Sequence, residues 1–229
     1  MTDEPARHDH DHDDANLPDL ILDQAFWDER YQSSDALWSG HPNPQLVTEA
    51  TGLVPGAALD VGCGEGADAI WLAEHGWQVT AVDISPVALD RGAAHACDAG
   101  NDVAQRITWL QADLTTWVPA DTTYELVSAQ FMQLPENLRL ALHCRLAASV
   151  SPGGSLLVVG HHPSDLQTTV PRPPVREFFF TAGDVAASLD PHRWDVVVSE
   201  SRARHVLDPE GRTTTIHDAV LRARRIQDG

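Results

Sequence analysis

The chain has 229 residues, 42% of them apolar, enough for one domain with a sizeable core or one domain plus a small appendage. Its formal charge is −19 and all 15 basic residues are arginine; so acidic a surface repels phosphate backbones, disfavours a long nucleic-acid partner and leaves a small molecule as the expected substrate. No apolar run reaches the roughly 18–20 residues of a membrane span, and the opening MTDEPARHDHDHDD lacks a basic start and an apolar segment, so no secretion signal and a cytoplasmic location are expected.

Residues 1–18 read as a disordered, polar, acidic tail. In it His8, His10 and His12 alternate with Asp9, Asp11, Asp13 and Asp14. That density of imidazoles and carboxylates suits loose binding of Zn, Ni or Cu, or simply a solvated acidic tail. Residues 19–229 read as a single domain. From Leu20 to about Gly52 the pattern is helical, with Phe26, Trp27, Arg30 and Tyr31 grouped within a turn and Pro42 and Pro44 leading into QLVTEATGL. After Pro55-Gly56 a regular alternation begins. AALDV is an apolar strand, Ala67–His75 a helix closed by Gly76, and WQVTAVD a second strand followed by a helix from Pro86. ITWL is a third strand and YELVSAQ a fourth; Pro135–Val150 is a helix, and SLLVVG a fifth strand opened by the turn Pro152-Gly153-Gly154.

Near-continuous apolar strands alternating with helices predict an α/β fold with a parallel sheet covered on both faces. The rhythm then changes. A helix near Ala182–Leu189 precedes RWDVVVSESR and TTTIHDAVLRAR, two strands joined by HVLDPEGR. A connection that short predicts an antiparallel pair. Cys63, Cys97 and Cys144 are odd in number and widely spaced, which indicates neither a zinc cluster nor a disulfide framework.

The segment ALDVGCGEG (58–66) poses the functional question. Glycines after a strand make a tight turn, permit positive φ and leave no Cβ between backbone and ligand. Gly62, Gly64 and Ala67 fit the dinucleotide pattern, whereas Asp60, Gly62, Gly64 and Gly66 fit D-x-G-x-G-x-G. Cys63 fills a position in the loop that needs a small residue. Asp83 ends the second strand about 17 residues later, where a carboxylate can accept bonds from both hydroxyls of a ribose. These features suit NAD and an adenosyl ligand alike. Three others favour the adenosyl ligand. Asp60 is an odd companion for a pyrophosphate but suits a cationic end, Asp113 in LQADL stands where an adenine amino group could be read, and the terminal hairpin departs from the dinucleotide fold.

Residues from about 57 to 160 resemble the core of the class I S-adenosylmethionine-dependent methyltransferases, through LDVGCGEG (59–66), VTAVDIS (79–85), QADL (111–114), YELVSAQ (124–130) and SPGGSLLVV (151–159). The resemblance implies a seven-stranded, Rossmann-like sheet with an antiparallel C-terminal hairpin and S-adenosylmethionine as cofactor. It implies that Gly62, Cys63, Gly64 and Gly66 approach the methionine part, with Asp60 near its amino group. Asp83 with Ile84 would meet the ribose, Asp113 with Leu114 the adenine, and Gln130 would face the methionine and the methyl. FWDERYQSSDALWSGHPNPQLV (26–47) is similar to the N-terminal cap of the small-molecule branch that includes the tellurite-resistance and thiopurine-type enzymes. Residues 19–52 would then form a cap whose Trp27, Tyr31 and Trp38 close over the cofactor. Trp27 equally suits an aromatic staple.

Methyl transfer from a sulfonium is an in-line displacement, so alignment supplies much of the rate. A thiolate or reduced metalloid needs no base, whereas a hydroxyl or ammonium must lose a proton. His161 and His162 follow the fifth strand at the edge where open α/β sheets bind ligands, and either is a candidate base or a polar loop start. Residues 163–180 form a long, proline-stiffened connection, a candidate lid or substrate loop. Within it Arg172 and Arg176 are candidates to hold an anionic substrate group, or to pair with neighbouring acids, and Phe178–Phe180 reads as core. Three alternatives stand beside this reading: an NAD-linked oxidoreductase, a metal-binding protein using the tail, and a methyltransferase acting on RNA, which the charge disfavours.

Overall fold

The computed structural model describes residues 22–34, 37–119, 123–172 and 175–227. Helix α1 (Gln24–Gln32) starts at Asp23, whose side chain accepts the Phe26 N–H. Helix α2 (Pro44–Ala50) starts at Asn43, whose Oδ1 accepts the Gln45 N–H at 2.9 Å, with Pro44 in the first turn. The helical stretch expected from Leu20 to Gly52 is therefore two short helices. Pro42 and Pro44 lack the N–H groups that a continuous helix would use, and the Asn43 cap restarts the winding.

Strand β1 (Ala57–Val61) leads to α3 (Ala67–Glu74) and β2 (Gln78–Asp83). Helix α4 (Pro86–Ala99) and a one-turn helix α5 (Asn101–Ala104), which the sequence pattern did not indicate, lead to β3 (Ile107–Gln111). Then come β4 (Tyr124–Gln130), α6 (Glu136–Ala148), β5 (Val150–His161), α7 (Ala182–Ala187), β6 (Trp194–Leu207) and β7 (Thr213–Arg225). The seven strands form one sheet in the order β3-β2-β1-β4-β5-β7-β6. The first five run parallel, and β7 is antiparallel to both β5 and β6.

Both faces of the sheet are buried, which is why its central strands carry apolar residues at successive positions. Leu59, Val127, Leu156 and Leu221 pack with Leu142, Leu146 and Val185 on one face. Ala58, Leu126, Leu157 and Val220 pack with Leu46, Leu72 and Trp77 on the other. Phe178, Phe179 and Phe180 are buried, so the end of the 163–180 connection is core.

Two boundaries differ from expectation in ways that matter for the site. Strand β5 begins at Val150 and runs through Pro152-Gly153-Gly154; Tyr124 opposes Val150 while Leu126 opposes Ser155, so the expected turn is absorbed as a bulge. The strand also ends one residue later than expected. His161 is its last residue, paired with Asp218 of β7, rather than part of the loop after it.

His8, His10 and His12 lie outside the described residues. Among the described residues, no group of three metal-ligating side chains comes together and no helix is long and apolar enough to cross a membrane.

Candidate functional site

The C-terminal ends of the parallel strands share one edge of the sheet, where a doubly wound topology leaves a crevice for ligands. Gly62 and Cys63 donate their N–H groups to the Val82 carbonyl at 2.8 and 3.0 Å, fastening the glycine loop to β2. Gly62, Gly64 and Gly66 have φ of +69°, +52° and +83°. Each glycine faces something different. A Cβ on Gly62 would collide with the Met132 sulfur, one on Gly64 would lie 2.9 Å from the Tyr31 hydroxyl, and one on Gly66 would collide with the Trp109 ring. Gly66 is thus required for packing α4 and β3 behind the loop, and Gly64 for close approach in front of it.

Asp83 is buried, with Oδ2 accepting the Gly64 N–H and Oδ1 the Ser85 N–H, both at 2.9 Å. Burial raises its pKa, opposed by those two N–H groups. Asp60, the fourth residue of β1, is buried beside it, and its Oδ2 finds no partner among the described residues. Burial, then Asp68 and Asp83, push the Asp60 carboxyl well above the usual carboxylate range. Asp68, in the first turn of α3, is pushed up to about 6 by burial, against a 2.6 Å hydrogen bond from the Asn43 N–H. Three crowded acids under a glycine loop are costly unless a cation arrives. A ligand with a ribose and an ammonium end fits this donor and acceptor set.

In front of the loop the Trp38 indole donates to the Tyr31 hydroxyl at 3.1 Å, above Gly64. Tyr31 is 3% exposed and Trp38 46%. Burial and the nearby Asp83 raise the Tyr31 pKa, so the phenol stays protonated. Trp27 lies 6.3 Å from the Tyr31 ring, in contact with Phe26. Cys63 is half-buried, and burial followed by Asp60 and Asp83 raises its pKa, which makes it an inert filler.

At the ends of β4 and β5, Gln130 donates to the Ser128 hydroxyl at 2.8 Å, and its buried Oε1 has no partner among the described residues. Phe131 follows with φ +51°, its N–H held by the Val159 carbonyl at 2.7 Å. A bulky residue in that region is strained, and such strain gathers where a side chain must be aimed. The Phe131 ring lies 4.8 Å from His161, and Phe179 lies 5.8 Å away from the same imidazole. Burial, then Arg172, lower His161 to about 4, so it is neutral at ordinary pH.

The other candidates are differently engaged. His162 accepts the Ser164 N–H at 3.2 Å and pairs with its hydroxyl, capping the short helical turn Pro163–Gln167. Arg172 binds the buried Asp165 at 2.9 Å, and Asp165 also accepts the His217 N–H at 2.8 Å. Arg176 is exposed. Asp113 is exposed, with Oδ1 accepting the N–H and hydroxyl of Thr115; Leu114 is buried and its carbonyl accepts Arg145 at 2.7 Å. The Ile84 carbonyl accepts Gln111 at 3.3 Å. Asp68, Phe131 and Met132 were not singled out by sequence reasoning. Asp68 sits two residues past the motif and only burial marks it, while the two others depend on a backbone turn that no local pattern announces.

The acid cluster carries a pH signature. Its folded-state pKa values lie above the ordinary value of about 4, so the fold holds more protons than the unfolded chain. The stability of the ligand-free protein should therefore fall as pH rises from about 4 through about 6, the Asp68 value. Melting curves across that range should show a shallower decline for Asp60→Asn than for the unmodified chain. Equal slopes would contradict the crowding.

A family model described as a methyltransferase domain matches residues 58–154. A methyltransferase from Mycobacteroides abscessus that acts on 2-heptyl-1-hydroxyquinolin-4(1H)-one is 28% identical over 162 residues, 65% of this chain and 70% of that protein. A probable thiol methyltransferase from Arabidopsis thaliana is 28% identical over 138 residues, 58% of this chain and 60% of its own length. The crystal structure of TehB from Haemophilus influenzae superposes with a TM-score of 0.65 at 18% identity, over 90% or less of each chain (88% and 66%). The sheet order and the acidic glycine loop agree with these likenesses: the chain carries a methyltransferase domain at residues 58–154 and is similar to the class I S-adenosylmethionine-dependent methyltransferases.

Proposed function

We propose that the chain methylates a small, planar acceptor bearing a weakly acidic hydroxyl. The observation that carries this reading is the neutral His161 imidazole lying against the Phe131 and Phe179 rings at the end of β5. Aromatic walls favour a flat ring, and a neutral imidazole accepts a hydroxyl proton as the oxygen becomes nucleophilic. The M. abscessus relative, whose acceptor is an N-hydroxyquinolone, supports the same chemistry. The charge of −19 supports a small acceptor over a nucleic acid. A cytoplasmic setting belongs to the proposal, in keeping with unpaired Cys63, Cys97 and Cys144.

When bound, the cofactor supplies an electrophilic methyl on a sulfonium. In our reading Asp60 neutralises its ammonium group, Asp83 accepts from the ribose hydroxyls and Asp113 with Leu114 reads the adenine. The loop Gly62–Gly66 lies along the methionine part with Gln130 opposite. Tyr31 and Trp38 exclude water above Gly64, which strengthens the electrostatics beneath. Arg172, paired with Asp165, and the exposed Arg176 are the candidates to meet an anionic group of the acceptor.

The test uses His161→Gln with a phenol or N-hydroxy heteroaromatic acceptor. Loss of a general base should lower kcat by about 10²–10⁴ with S-adenosylmethionine affinity retained. The acid limb of the unmodified enzyme's pH profile should fall near 4, the His161 value, because protonation below that point removes the base. The likeness to a thiol methyltransferase favours a second reading, a thiolate acceptor, which needs no base. That reading predicts an unchanged kcat in the variant, and such a result with a turned-over hydroxyl acceptor would contradict the first.

A further inference from the structure

The glycine loop contains an acid that the cofactor reading leaves without a task. Glu65 sits between Gly64 and Gly66 and is buried. Its carboxylate turns away from the acids beneath the loop and towards the N-terminal segment. Oε2 accepts the N–H groups of Leu37 and Trp38 at 3.2 and 3.3 Å. Oε1 accepts the Arg91 guanidinium at 2.9 Å, and the same Arg91 nitrogen donates to the Ser34 carbonyl at 2.8 Å. One ion pair thereby grips the N-terminal segment at Ser34 and again at Leu37 and Trp38.

The anchor behind this grip is rigid. Arg91 is on α4, next to Gly92, whose missing side chain lets the Trp109 ring lie against it. A Cβ on Gly66 would lie 3.4 Å from the Gly92 Cα, so α4 is backed directly onto the glycine loop. Arg91 therefore bridges a helix packed directly on the glycine loop and the segment that carries Trp38. The His95 ring, one turn further along α4, lies 3.2 Å from the Glu65 carbonyl and fixes the loop to the same helix. The segment held in this way carries Trp38, whose indole donates to Tyr31 above Gly64.

We propose that Glu65 and Arg91 are positioning residues that clamp Trp38 and Tyr31 over the cofactor pocket and set how long the cofactor stays. The clamp touches no reacting atom; it acts through the two backbone N–H groups and one carbonyl it holds. A half-buried ion pair of this kind loses most when one partner is left alone, because the remaining charge is desolvated and unpaired. Arg91→Ala leaves the buried Glu65 carboxylate with no cation to offset it. Glu65→Gln keeps an acceptor for the Leu37 and Trp38 N–H groups but loses the charge that holds Arg91. Either change should loosen the segment while leaving the binding acids in place.

The proposal rests on the methyltransferase assignment, and the experiment separates the two. S-Adenosylhomocysteine is bound to the full chain, then chased with excess S-adenosylmethionine while Trp emission is followed in stopped flow. We expect release to be about tenfold faster in Glu65→Gln and in Arg91→Ala, with association changed by less than a factor of two to three. The double variant should release no faster than the faster single variant, since both act through one clamp. A purely structural role would move the melting temperature without this rate signature. Release within twofold of the unmodified chain in a folded Glu65→Gln protein would overturn the clamp, and so would multiplying effects in the double variant. Should Arg91→Ala fail to fold, Glu65→Gln preserves shape and backbone acceptors and decides alone. An unmodified chain that binds neither ligand would overturn the cofactor assignment and the clamp together.

Discussion

Asp83→Ala is expected to weaken S-adenosylmethionine binding about 100-fold, by isothermal titration at neutral pH. A carboxylate offers about four acceptor positions. Two are taken by the Gly64 and Ser85 N–H groups, which orient it at the end of β2. The remaining two lie at the strand's C-terminal edge, where the ribose hydroxyls are read in our account. Charge-assisted bonds contribute roughly 1.5–3 kcal/mol each, so losing a pair, partly compensated by water, costs about 2.7 kcal/mol, equivalent to the hundredfold. Asp83→Asn keeps the shape and one acceptor and should fall between. An unchanged affinity in the alanine variant, with the fold intact, would remove Asp83 from the ribose site.

Gly66→Ala should act on stability rather than on the ligand. The residue has φ +83°, and a Cβ there would collide with the Trp109 ring, whose next nearest ring atom would be 3.0 Å away. A left-handed conformation costs a non-glycine residue roughly 1–2 kcal/mol, and forcing an extra group into packed core about 1–3 more. The same edge of the ring also lies against Gly92 on α4, so the contact has no slack to absorb a methyl group. About 3 kcal/mol in a chain of this length corresponds to a fall in Tm of roughly 10 °C. Gly64→Ala should differ in kind. Its neighbours are the Tyr31 hydroxyl and the Trp38 indole, so it should displace the cap and weaken cofactor binding more than it lowers Tm. A melting point for Gly66→Ala within 2 °C of the unmodified chain would show that the loop tolerates a side chain there.

The parts of this molecule that were legible in its sequence are those encoded by short-range pattern. AALDV, YELVSAQ and SLLVVG are apolar on consecutive positions because each strand is covered on both faces, and all three are strands. The short connection between the last two strands forced an antiparallel pair, and β6 and β7 form one. Asp60 and Asp83 could be nominated because a strand end and a glycine turn fix where a carboxylate points. Other features depend on contacts that local pattern does not carry. Glu65 is a variable position of the motif, and only the fold brings Leu37, Trp38 and Arg91 onto it from 26 to 28 residues away. His161 and His162 are neighbours with opposite surroundings, one against two aromatic rings and the other capping a turn, because β5 ends between them. Phe131 gained its position from a strained backbone whose N–H is fixed by Val159, a partner on another strand.

We propose, above all, that the acidic glycine loop holds S-adenosylmethionine and the neighbouring edge delivers its methyl to a hydroxyl. It is tested most directly by incubating the full chain with methyl-labelled S-adenosylmethionine and a panel of phenols, N-hydroxy heteroaromatics, thiols and amines. Label is expected in an O-methylated small molecule, with S-adenosylhomocysteine formed in equal amount. Label confined to thiol or amine products would contradict the hydroxyl acceptor, and tight NAD binding with no affinity for S-adenosylmethionine would contradict the cofactor itself.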